Sequence, residues 1–149
     1  MLLVCVGWGC GLPPGLDAAL ERWMQRRTAP LTVGQRWTPT GDMATARSVH
    51  TATLLLDGKV LVVGGDDSSD YLDSTEVYDP ATGLWSPTTN SLANRRASHT
   101  ATRLSNGEVL VTGGNDSSGY LVNTEVYDPV TNQWRPAPGN LATGRHSHT

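Results

Sequence analysis

The sequence predicts an all-β fold made of two four-stranded antiparallel units of one design, set in tandem. Three observations carry this. The block 50–98 aligns without a gap on the block 99–147, with 29 of 49 positions identical. Both blocks read as short apolar and β-branched runs separated by Gly, Asp, Asn and Pro. Where the copies differ at a turn, they keep its chemistry: Asp57-Gly58 becomes Asn106-Gly107, and Gly83 becomes Asn132.

Residues 1–35 stand outside the repeat, and residues 36–149 form the repeat region. Pro13-Pro14-Gly15 breaks the chain, and 16–27 then reads as a short helix. Asp17 stands where a cap would, Leu16, Leu20, Trp23 and Met24 share one side, and Arg26-Arg27 sit at the favoured end of the helix dipole. Residues 29–35 read as a linker. Cys5 and Cys10 have no further Cys or His nearby, so they do not make a zinc site. Two separate thiols and a local disulfide stay open as readings of them.

Within the first unit, 51–56 is the expected first strand. Asp57-Gly58 is a strong two-residue hairpin signal, and a type I′ turn is expected there. Residues 60–63 then pair back antiparallel, and their unbroken apolar run suits a strand covered on both faces. Gly64-Gly65 ends that strand, where the backbone bends or another segment comes close. A polar loop over 66–73 leads to the third strand, 75–78. Asp79-Pro-Ala-Thr-Gly83 turns the chain into the fourth strand around Trp85, with Gly83, and Asn132 in the second copy, in the left-handed region.

These landmarks resemble the kelch repeat. Arg47-Ser-Val-His50, Gly64-Gly65, Tyr78 and Trp85 follow the family's order, and Arg96-Ala-Ser-His99, Gly113-Gly114, Tyr127 and Trp134 repeat it. The period agrees as well. The resemblance implies that each unit is one blade of a β-propeller. Its first strand would line the central channel, and its Tyr and Trp would pack between blades. Propellers have about 4–8 blades, and this chain holds two full units. Arg36-Trp37 matches Leu84-Trp85, so 36–40 is expected as a lone flanking strand, and His148-Thr149 matches the start of a third unit. The expectation is a partial propeller, a fragment of a larger protein, with further blades or an oligomer needed to close the ring.

Composition narrows the partners. The net charge is −3, and the basic residues form no extended face, so nucleic acid is not expected. No apolar run is long enough for a membrane-spanning helix. The apolar start 2–6 is short and lacks a preceding Lys or Arg, so secreted, cell-surface and cytoplasmic locations all stay open.

The periodic side chains are weighed one by one. His50, His99 and His148 recur at the repeat, with His146 beside the last. A metal ring around the channel is conceivable, but duplication of a structural residue accounts for them without other ligands. Asp66-Asp-Ser-Ser-Asp70 offers hard oxygen ligands, yet it lacks calcium-loop spacing, and Asn115-Asp-Ser-Ser-Gly119 carries fewer charges; a solvated loop is expected. No metal and no cofactor is therefore assigned. Arg47, Arg96 and Arg145 either pair with acids such as Glu76 and Glu125 or reach a partner. Asn115-Asp116-Ser117 is a glycosylation sequon if the chain is secreted from a eukaryote.

In kelch propellers the loops before the first strand and after the double glycine open on one face that often binds partners. By that resemblance, the contact candidates are Arg47, Asp66, Asp67, Ser68, Ser69, Tyr71, Arg96, Asn115, Asp116, Ser117, Ser118 and Tyr120. Gly64, Gly65, Tyr78, Trp85, Gly113, Gly114, Tyr127 and Trp134 are the structural set. No nucleophile motif or phosphate loop is present. The expected function is a non-catalytic scaffold that binds protein or carbohydrate through its loops. The alternatives are part of a galactose-oxidase-like copper enzyme whose site lies in other blades, and a purely structural repeat module.

Overall fold

The computed structural model describes residues 38–149. The expected helix over 16–27, the two cysteines, the linker 29–35 and the first residues of the expected strand 36–40 lie outside them. Residues Pro39–Thr149 form one compact unit that holds both repeats.

Repeat 1 is a four-stranded sheet of β1 (Thr51–Leu54), β2 (Val60–Val63), β3 (Thr75–Asp79) and β4 (Leu84–Pro87), each strand antiparallel to the next. Repeat 2 copies it with β5 (Thr100–Arg103), β6 (Val109–Thr112), β9 (Thr124–Asp128) and β10 (Gln133–Pro136). A small hairpin, β7 (Asn115–Asp116) with β8 (Gly119–Tyr120), rises between β6 and β9. The sequence reads that stretch as polar loop. Its register is Asn115 opposite Tyr120, and the equivalent of this pair in repeat 1 is a single bridge between Asp66 and Tyr71. Gly119, at φ 126°, stands where repeat 1 has Asp70, and only the glycine allows the tighter return.

Two expectations change. The β1–β2 connection is not a two-residue type I′ turn. Gly58 N donates to Leu55 O and Leu55 N donates to Lys59 O, so the loop is three residues long, and only Gly58 has positive φ, at 86°. This is the geometry of a type I turn closed by a left-handed glycine. The β5–β6 loop repeats it, with Gly107 at φ 92° and Asn106 outside the left-handed region. Asp57 and Asn106 accept instead from Lys59 N and Glu108 N, through short side chains that favour the turn. Second, Thr38–Thr40 form no strand. The segment that follows them is an irregular strap across repeat 1, held by Gly41 N to Gly83 O at 2.8 Å and by the Trp85 indole N–H to Gly41 O at 2.9 Å.

The turn after β3 forms as expected. Gly83 has φ 71° and Asn132 φ 57°, and Asp79 and Asp128 each accept an amide two residues on, at 2.8 Å. Across β3 and β4, Tyr78 stands opposite Trp85 with ring centroids 5.0 Å apart. Tyr127 and Trp134 repeat the tilted pair at 5.3 Å.

The core lies between the repeats as much as within them. One cluster takes Leu55, Leu61, Val63, Val77 and Leu92 from the first and Val109, Val111, Tyr127 and Trp134 from the second. The continuous apolar strand 60–63 is covered on both faces, as its pattern predicts. Among the described residues there is no α-helix, and no helix long and apolar enough to cross a membrane.

Candidate functional site

Two kinds of periodic residue separate in the structure: those spent on the seam between the repeats, and those left on the loop rim.

Arg96 is the centre of the seam. Its backbone belongs to repeat 1: Gly65 N donates to Arg96 O at 2.9 Å, and Arg96 N donates to Leu72 O at 3.1 Å. Its side chain belongs to repeat 2, donating to Gly113 O at 2.9 Å, Asn123 O at 3.2 Å and Glu125 Oε1 at 2.7 Å. The guanidinium is fully buried. Burial pulls its pKa below the ordinary arginine value, and the Glu125 carboxylate opposes that pull. Ala93 N donates to the second Glu125 oxygen at 2.8 Å, so the buried carboxylate is satisfied on both atoms. Arg47 builds the same clamp one repeat earlier on Gly64 O, Ser74 and Glu76 Oε1 at 2.7 Å, again fully buried, and Ala44 N meets the other Glu76 oxygen. For these two arginines, the ion-pair reading replaces the partner-contact reading: the side chains are enclosed and cannot reach a ligand.

The double glycines explain how the seam closes. A Cβ on Gly64 would run into Arg96 O, and one on Gly65 into Ser48 O; both residues also have positive φ. Only glycine lets the strap approach this closely. Gly113 and Gly114 play the same part against Arg145 O and Ala97 O.

Side chains complete the junction. The Trp134 indole N–H donates to Thr75 Oγ1 at 2.9 Å, and Asn90 pairs with both the N–H and the carbonyl of Trp134. His99 Nε2 lies 2.8 Å from Thr51 Oγ1, and His148 Nε2 lies 3.0 Å from Thr100 Oγ1. These two histidines are committed to inner-strand threonines, and β1 and β5 run beside each other as first strands of neighbouring repeats. Among the described residues no group of three His, Cys, Asp or Glu could hold a metal ion.

His99 makes the seam sensitive to acid. Burial, followed by the Arg96 guanidinium, lowers its pKa to about 3. An unfolded His99 binds a proton near pH 6.5, whereas the folded one does so only near 3. Stability is therefore complete above pH 6.5 and falls as the pH drops through that window. The expected loss at pH 5 is about 2 kcal/mol. Urea midpoints at pH 7 and pH 5 test this: the wild type should weaken on acidification and His99→Gln should change much less. Equal responses of the two proteins would contradict the assignment.

The other candidates gather at the loop rim, the end of the sheets opposite the β1–β2 and β3–β4 turns. Asp66 bridges Ser48 and Tyr71. Asp67 accepts from Ser69 N, Ser69 Oγ and Asp70 N, and these bonds lower its pKa to about 2. Asp116 repeats this with Ser118 N and Oγ and is lowered too. Both carboxylates thus shape their loops as well as charge them. Asn115 Nδ2 donates to the Tyr71 hydroxyl at 3.0 Å and ties the two loops together. Ser68, Ser69, Ser117 and Ser118 are exposed. Tyr120 is 65% exposed and stacks on His146 at 4.6 Å. Sequence reasoning missed Arg95, which pairs with Asp70 on this rim, and Asn90 in the seam. Neither is kept in the other copy, where Gly144 and Gly139 stand at those positions, so the repeat gives no signal for them.

Sheets of this form, joined through their inner strands and by a tight glycine seam, define the class of repeat: blades of a β-propeller type. The Kelch motif matches the sequence twice, over residues 47–91 and 96–140, and the chain belongs to the kelch-repeat family. An F-box/kelch-repeat protein of Arabidopsis thaliana is 43% identical over 51 residues, which is 34% of this chain and 13% of that protein. A kelch repeat-containing protein, kel-10, of Caenorhabditis elegans is 36% identical over 56 residues, 38% of this chain and 10% of that protein. The matched stretches thus span only a small part of these relatives. Kelch repeats serve in general as protein-interaction scaffolds.

Proposed function

We propose that this chain is a non-catalytic part of a larger propeller and that it binds a protein partner through the loops Asp66–Tyr71 and Asn115–Tyr120. The observation that carries this reading is the division of labour among the repeated residues. Arg47, Arg96, His99, Tyr127 and Trp134 are consumed by folding, whereas Ser68, Ser69, Ser117, Ser118 and Tyr120 are exposed on the rim. An exposed tyrosine among short polar side chains is the composition of an adaptable recognition surface. The tie between Asn115 and Tyr71 holds the two loops as one surface.

The need for more blades is supported by unequal burial. Tyr127 and Trp134, which face repeat 1, are buried, whereas Tyr78 and Trp85 are only half-buried. The same pair gains its full burial when a blade stands beside it. A carbohydrate ligand is the second reading, favoured by the Tyr120–His146 stack, since an exposed aromatic face suits a sugar ring.

A photo-crosslinking residue placed at Tyr120 is expected to trap partner protein from the source cell, while one at Val130, 92% exposed on the opposite end, is expected to trap little. Equal labelling from both ends would contradict the loop reading. Loss of adducts at Tyr120 on addition of free sugars would transfer it to carbohydrate.

A further inference from the structure

The seam between the two repeats holds a cleft at the end away from the loop rim. Its volume is about 190 Å³, and both repeats line it. Leu55 and Val77 from repeat 1 and Tyr127 and Pro129 from repeat 2 make its apolar walls. Asp57, Lys59 and Ser86 line it from repeat 1, and Asn132 lines it from repeat 2. The two sets differ under the repeat. Leu55, Val77, Tyr127 and Pro129 stand in the other copy as Leu104, Val126, Tyr78 and Pro80. Asp57, Lys59, Ser86 and Asn132 stand there as Asn106, Glu108, Arg135 and Gly83. Duplication of the blade therefore accounts for the walls and for none of these four polar groups. The fold uses their bonding capacity only in part. In repeat 2, Arg135 reaches Glu108 at 2.7 Å and fills that place with an ion pair. In repeat 1 the arginine is a serine, too short to do so, and Lys59 lies 3.5 Å from Asp79, which leaves its ammonium with donors to spare. Asp57 spends one carboxylate oxygen on Lys59 N and keeps the other. The Tyr127 hydroxyl donates to Asn132 Oδ1 at 2.8 Å, which leaves the amide nitrogen of Asn132 as a donor. Burial, then Asp57 and Asp128, push the Tyr127 hydroxyl up to about 12, so it stays a donor at neutral pH.

We propose that this cleft binds a small zwitterion, an α-amino acid with a short apolar side chain, and that the ligand bridges the two repeats. Its ammonium pairs with Asp57, and its carboxylate takes donors from Lys59, Ser86 and Asn132. Its side chain lies on Leu55, Val77 and Pro129. Two features select this class. The cleft presents one carboxylate and one ammonium, with neutral donors, over an apolar floor. A zwitterion answers both charges, whereas a simple anion or cation leaves one of them opposed. The volume also lies below the range of about 300–1,000 Å³ usual for drug-sized ligands, which rules out a nucleotide. The site is separate from the loop rim, and a ligand here leaves that surface free.

Amide NMR titration of the full chain with L-valine tests this. A ligand of about eight non-hydrogen atoms is expected to bind in about the millimolar range. Valine should shift the amides of Lys59, Ser86 and Asn132 and leave those of Ser69 and Ser118 on the rim in place. L-valinamide, which lacks the carboxylate, and isovalerate, which lacks the ammonium, should each bind about tenfold more weakly or worse. The double variant Lys59→Glu/Ser86→Arg copies the Glu108–Arg135 pair of repeat 2 into repeat 1 and closes the cleft, so it should stay folded and lose the valine shifts. If it fails to fold, Asp57→Asn and Lys59→Met serve instead, and each should weaken valine about tenfold. Valine that moves none of the three amides would overturn the proposal. So would valinamide or isovalerate binding as tightly as valine, or valine binding that these variants leave unchanged. None of these results bears on the loop surface, which crosslinking tests separately.

Discussion

Replacing Arg96 by alanine is expected to cost about 3–5 kcal/mol of stability, a large share of the total for a domain of this size. The substitution leaves Glu125 buried with half its partners and strands the carbonyls of Gly113 and Asn123. A buried carboxylate without its cation is far costlier than a surface charge without one. Arg96→Lys should fall between wild type and alanine. It keeps the charge but replaces a planar fork reaching three acceptors with a single ammonium. Pairing Arg96→Met with Glu125→Leu should recover part of the loss, because the isolated charge is then gone. Denaturant unfolding followed by circular dichroism checks all of these variants. A loss below about 1 kcal/mol for Arg96→Ala would mean that the clamp does not hold the repeats together.

Trp134→Ala is the second large effect, at about 3–5 kcal/mol. The indole is 5% exposed, lies in the cluster shared by both repeats and donates to Thr75 across the seam. The equivalent Trp85 makes the same pair with Tyr78 inside its sheet but is only half-buried, and its N–H meets the strap at Gly41. Trp85→Ala should therefore cost about half as much, near 2 kcal/mol. Equivalent positions give unequal losses because only one of them has a blade on its open side. Equal losses would show that the aromatic pair acts within its own sheet and that the seam adds nothing.

Much of this fold was legible in the chain because repetition supplies an internal control. Gly83 and Asn132 differ in side chain yet share a left-handed φ, so the difference itself identified the requirement. The apolar run at 60–63 read correctly as a strand covered on both faces. The turn at Asp57-Gly58 was misread because the dipeptide serves two loop lengths. The choice between them depends on whether Leu55 N reaches Lys59 O, which no local pattern encodes. Residues 36–40 read as a strand from their likeness to the segment around Trp85, but Thr38–Thr40 form none, and the strap that follows is held by Glu76 and Gly83 instead of a ladder.

The candidate site was legible in outline and mixed in content. The arginines, histidines and loop residues are all periodic, and periodicity does not separate a packing residue from a contact residue. What separates them is a third unit of information, the burial of each side chain. Arg47 and Arg96 could be placed on Glu76 and Glu125 only once β3 and β9 were known to bring the acids under these arginines. Arg95 and Asn90 escaped notice because the second copy has glycine in both places, which makes them specific to the first repeat and its junction.

Native-state hydrogen exchange tests the account most directly, because its central claim is that two repeats form one body through a seam built from the periodic residues. The backbone amides of Ala93, Ala97 and Trp134, which donate to Glu125 Oε2, Asn115 O and Asn90 Oδ1 across the junction, are expected to open with the same free energy as strand amides of Val62 and Val111. Seam amides that exchange much faster than those strands would show two blades that merely touch, and would contradict it.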